Sequence, residues 1–68
     1  MSPIEQLIAT CTTLRASAIA AGQRVTFATV NGAKMRQIRA LECEHRAAWQ
    51  TFYAADATLH ALINREVA

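Results

Sequence analysis

The apolar positions of the chain fall into two unlike patterns separated by a polar, turn-forming stretch. Ile4, Leu7, Ile8, Cys11, Leu14 and Ala18 recur at steps of three and four, the spacing of one face of a helix. Ser2 before Pro3 supplies an N-cap and a first helical position, and Glu5 sits in the first turn, where a carboxylate is favoured. This predicts an amphipathic helix over about 3–21, with Gly22 as its stop. Farther on, Ile38, Leu41, His45, Ala48, Phe52, Ala55, Leu59 and Leu62 alternate by three and four without a slip. That is a heptad seam. Neither Gly nor Pro occurs from Ala33 to Ala68, so one long second helix is expected, with Asp56 as the place where a break and a new N-cap could fall.

The stretch between reads differently. Val25, Thr26, Phe27, Thr29 and Val30 are β-formers, and Val25 and Phe27 would share one face of a short strand. Asn31-Gly32 marks a turn. The flank after it, "AKMRQI", is helical in character, so the expectation is a β-like connector and not a complete β-hairpin. The predicted fold class is mainly α: one small domain over 1–68, a helical hairpin with a short β-like connector and a long C-terminal helix, completed by oligomerisation.

The unequal lengths of the two helices carry the first functional expectation. A helix ending near Ala21 runs out opposite Trp49 to Tyr53. The apolar residues beyond, Phe52, Leu59, Leu62 and Ile63, then lack a partner within the chain, and an exposed apolar stripe marks an interaction surface. Trp49, Phe52 and Tyr53 form an aromatic group on the same helix. Trp and Tyr are enriched at interface hot spots, while the plainer role is core packing against Ile4, Leu7 and Ile8. Trp49 inward and Phe52 or Tyr53 outward would satisfy both. The expected partner interface is therefore Trp49, Phe52, Tyr53, Leu59, Leu62 and Ile63.

Composition sharpens this. A chain of 68 residues buries only about 60% of its unfolded surface. Small scaffolds usually need a disulfide, a metal or a second copy. Much of the 53% hydrophobic content is Ala, which favours helix but buries little area. The core is thin, and a homo-oligomer is the expected remedy. Cys11 and Cys43 occur without a signal peptide, and no run reaches the roughly 20 apolar residues of a membrane span. The expectation is free thiols in a reducing, cytoplasmic setting, with no membrane partner.

Net charge is +2, modest for a nucleic-acid binder, but it is unevenly placed. Arg24, Lys34, Arg36 and Arg39 lie between Gly22 and Leu41, where no acid occurs. This basic contact surface is either solvated, or meets an acidic protein, or meets DNA. Part of the stretch from Leu14 to Met35 resembles a helix-turn-helix, but Gln23 and Asn31 would then be buried and Asn31-Gly32 would interrupt the recognition helix. DNA is the less favoured partner.

Candidate chemistry is sparse. Glu42-x-x-His45 has the spacing used in helical di-metal sites, yet no carboxylate on the first helix faces it, and the expectation is a seam His45 that is hydrogen-bonded or at a subunit boundary. Two Cys and two His this scattered do not supply the four ligands of a zinc site. Asp56 and His60 read as a surface ion pair. No nucleophile elbow and no phosphate-cradling Gly-rich loop occurs. No catalytic, metal or cofactor-binding residue is expected, nor a small-molecule substrate.

"GQRVTF", Gly22 to Phe27, and "IRALE", Ile38 to Glu42, resemble the W family of lambda-type head-to-tail joining proteins of tailed phages, over roughly residues 4 to 45. The family pattern is helix, short β-element, helix, with a Gly closing the first helix. The resemblance implies a virion-assembly subunit joining a ring between portal and tail, without chemistry of its own, and sited in the host cytoplasm or the virion. Arg24, Arg36 and Arg39 would then contact neighbouring subunits. The expected function is a non-enzymatic, phage-like assembly or adaptor protein acting through helix-mediated contacts. The alternatives are a small inhibitor docking on a host protein and a small DNA-binding regulator.

Overall fold

The computed structural model describes residues 2–67. Two helices, α1 (Pro3–Val30) and α2 (Met35–Val67), pack antiparallel as a hairpin. The rod measures 51 × 17 × 12 Å between Cα extremes. Among the described residues there is no strand. The mainly α hairpin and the long second helix are as the sequence predicts. The β-like connector is not: Arg24 to Val30 is helical.

The heptad explains that difference. The seam of α1 runs Ile4, Leu7, Cys11, Leu14, Ala18, Ala21, Val25 and Ala28, and every one of these is buried or half-buried. It passes through Gly22 without a change of register. Burying Val25 and Ala28 against α2 outweighs a β preference that is itself mostly a preference for packing. Thr26 and Thr29 fit the helix by donating Oγ1 hydrogen bonds to the Gly22 and Val25 carbonyls, at 3.2 and 2.9 Å.

Both ends of α1 use the residues that the sequence offers. The Ser2 hydroxyl accepts from the Glu5 amide at 3.2 Å, with Pro3 opening the helix. At the other end Asn31 is the C-cap, and Gly32 takes the left-handed conformation at φ +71°. The Ala33 amide donates to the Ala28 carbonyl at 2.9 Å and the Gly32 amide to Thr29 at 3.2 Å. This pair of bonds is a Schellman motif. The stop signal is therefore Gly32, and Gly22 lies in mid-helix.

α2 runs unbroken from Met35 to Val67, and Asp56 lies within it. All eight residues of its predicted seam are buried or half-buried. Because α1 reaches Val30, the helices match in length. Leu59 is buried, and it borders a cleft with Ile8, Cys11 and Phe52. The C-terminal half of α2 thus has its partner within the chain, and the argument from an unpaired tail falls. The register moves with it: Gly22 faces His45, so Ile4 and Leu7 lie level with the end of α2 and not with Trp49.

The buried apolar residues are Cys11, Ala18, Ala21, Ile38 and Leu59. Three of the five are small. Small seam residues bring the two backbones close but leave little apolar area out of water.

Candidate protein-interaction surface

The seam leaves much of α1 uncommitted. Its 28 residues carry only Glu5, Arg15 and Arg24 as charges, whereas the 33 of α2 carry eight. Beyond the seam α1 presents Ala and short neutral polar side chains such as Thr12, Thr13 and Ser17, and among them stand large apolar ones. Here Ile8, Ile19 and Val30 are 48%, 44% and 78% exposed. They recur every 11 residues, three helical turns, which sets them in one line along the helix.

Two shallow clefts lie along this line. One is bordered by Ile8, Cys11, Arg15 and Ile19 of α1 and by Phe52 and Leu59 of α2. The next is bordered by Ile19, Gly22, Thr26 and Val30 with His45. Ile19 belongs to both, so they form one groove on one broad side of the rod. Among the described residues, Arg15 is the only fully charged side chain lining either.

His45 joins this groove to the aromatic group. A Cβ on Gly22 would lie 2.9 Å from His45 Nε2, so only glycine leaves room for the imidazole to lie against α1. The Trp49 indole N–H donates to that same Nε2 at 2.8 Å. An accepting Nε2 places the ring proton on Nδ1. Trp49 stacks on Tyr53 with ring centres 5.8 Å apart, and meets Phe52 edge-on at 5.6 Å. Edge-on and offset rings of this kind attract one another. Trp49 and Phe52 are half-buried, and Tyr53 is 61% exposed.

The expected interface residues therefore divide. Leu59 is buried in the hairpin, and Leu62 and Ile63 are half-buried beside it. Trp49, Phe52 and Tyr53 remain together as a cluster. Sequence reasoning missed Ile8, Ile19 and Val30 as one surface, and missed Gly22 as a packing residue. The 11-residue recurrence was the available signal, hidden once the helix was ended at Gly22.

Arg24, Lys34, Arg36 and Arg39 are all exposed. They gather toward the turn end of the rod because Arg24 is in the penultimate turns of α1 and the others flank the start of α2. Lys34 and Arg36 stand at the positive end of the α2 dipole with no acid in its first turn, against the usual preference. The stretch that resembles a helix-turn-helix in sequence is mostly continuous α1, and Gln23 and Asn31 are exposed.

Other chemistry stays apart. Cys11 is buried and Cys43 exposed, both free. His60 Nδ1 lies 3.3 Å from the Asp56 carboxylate, an i, i+4 pair on α2. Among the described residues no three His, Cys, Asp or Glu side chains come together as a metal site. Among the same residues no helix is long and apolar enough to cross a membrane. No family model, curated protein or solved structure matches the chain.

Proposed function

We propose that this chain is a non-enzymatic assembly or adaptor protein that works by packing the groove side of its hairpin against another polypeptide. One observation carries the reading. A compact monomer of 7.4 kDa is expected to expose roughly 4,200 Å², and this rod exposes 5169 Å². The surplus, roughly 1,000 Å², is close to one partner's share of a standard interface. Its radius of gyration, 15.5 Å, compares with about 11 Å for a compact domain of this length. Exposed on this rod are Ile8, Ile19, Val30 and Tyr53, apolar or aromatic side chains that gain by being covered.

A head-to-tail joining subunit is a specific form of this role and is supported by the sequence resemblance alone. The Gly22–Phe27 segment, where that resemblance implies a strand, is helical. An inhibitor docking on a host protein would use the same groove with a different partner. A DNA-binding regulator is the second reading, supported by the four basic residues near the turn. It requires binding that falls steeply with salt and is lost in Arg36→Ala with Arg39→Ala.

The test is photo-cross-linking in the producing cell, with a photoreactive amino acid at Ile19. A protein adduct, to a second copy or to another chain, is the expected result. No adduct at Ile19, or no more adduct there than from the same probe at Ser17, which is exposed on the other side of α1, would overturn the reading.

A further inference from the structure

Resting on that reading, we infer that the occupant of the groove is a second copy of this chain, laid antiparallel to the first about a two-fold axis that crosses the rod near Ile19. The product is a four-helix bundle in which α1 lies across α1 of the other copy and α2 across α2.

The first argument is spacing. Ile19 stands 11 residues from Ile8 and 11 from Val30, about 16 Å to either side at 1.5 Å per residue. A two-fold axis at Ile19 sets Ile19 on its own copy, Ile8 on Val30, and Val30 on Ile8. The pattern is self-complementary, as an isologous interface requires. By the hairpin register, in which Gly22 faces His45, Ile19 is level with Ala48. The same axis therefore passes beside Trp49 and its aromatic neighbours.

The second argument is area. The broad side of the rod, 51 by 17 Å, has a footprint of roughly 870 Å². That matches the roughly 800 Å² each partner contributes to a stable interface, so one copy is enough to cover it.

The third argument is charge, and it selects the direction. The turn-proximal half holds Arg24, Lys34, Arg36, Arg39 and Arg46 against Glu42 and Glu44. The open half holds Arg15 and Arg65 against Glu5, Asp56 and Glu66. The turn half thus has a surplus of three positive charges and the open half one negative. A two-fold axis along the rod would set the two positive halves together. An axis across the rod sets each positive half on a negative one, and so favours the antiparallel arrangement.

Single cysteines at Ile8, Ile19 and Val30, each on a Cys11→Ala, Cys43→Ser background that removes both native thiols, test the arrangement in purified protein with a short bis-maleimide. Circular dichroism first confirms that each variant is helical. Ile19→Cys should link to itself. Ile8→Cys and Val30→Cys should each fail to self-link, yet link to one another when mixed. In the opposite orientation Ile8→Cys and Val30→Cys self-link and the mixture does not, since those positions lie about 33 Å apart along the helix. That result, or no linkage at any position, overturns the inference. A cellular adduct at Ile19 to a different protein, with no linkage between purified chains, would sink the self-pairing and leave the assembly role standing.

Discussion

The His45 imidazole lies against the backbone of Gly22, its Nε2 2.9 Å from where a Cβ would stand, while accepting the Trp49 indole proton. An interior glycine normally weakens a helix by about 1 kcal/mol relative to alanine. Here that cost accompanies a close approach between the two helices.

Gly22→Ala therefore has opposed effects. Helix propensity gains about 1 kcal/mol, but the imidazole must move and loosen its bond to Trp49. We expect chemical denaturation to show stability unchanged or lowered in the wild-type background. In a His45→Ala background the same substitution should raise stability by about 0.5–1 kcal/mol. Equal stabilisation in both backgrounds would mean that the ring does not occupy that space.

Gly32 poses a different case. Its φ is +71° and a Cβ added there would meet nothing within 4 Å, so Gly32→Ala meets backbone strain without a clash. A loss of roughly 1–2 kcal/mol is expected from the left-handed conformation alone, measured by urea unfolding. No loss would show that the turn can end α1 in another way.

Leu59 and His60 are neighbours with contrasting roles. Leu59 is buried against α1, and Leu59→Ala should cost about 2–4 kcal/mol. His60→Ala removes an exposed pair with Asp56 and should shift stability by no more than about 0.5 kcal/mol. Leu59→Asp would accordingly abolish assembly by unfolding the hairpin, whereas Ile19→Asp should separate chains that remain helical by circular dichroism. Comparable helix loss in both Asp variants would remove Ile19 from the surface.

The N-cap offers a smaller effect at the other end of the rod. Ser2→Ala removes the acceptor for the Glu5 amide. It should lower stability by about 0.5–1 kcal/mol, seen as faster amide exchange confined to the first turn of α1.

The seam of α2 and the Asn31-Gly32 turn were legible in the sequence because each rests on a strong local rule, heptad spacing and left-handed glycine. The second half of α1 was not. Val25, Thr26, Phe27 and Thr29 favour strands in isolation, and Gly22 imitates a helix stop. Their helical state is decided by Val25 and Ala28 meeting α2, a tertiary contact that local preference does not contain. The same error displaced the interaction surface. A helix ended at Ala21 leaves Leu59 uncovered and breaks the Ile8–Ile19–Val30 line, while a helix reaching Val30 buries the one and completes the other. The role of Gly22 depends on where His45 points, which sequence spacing alone does not reveal.

The most direct measurement is the solution mass of the purified chain, by light scattering behind size exclusion, across a wide range of concentrations. The account predicts a species of twice the 7.4 kDa chain mass that persists on dilution, and its conversion to a helical single chain in Ile19→Asp. A fully helical wild-type protein with the mass of one chain at every concentration would contradict it.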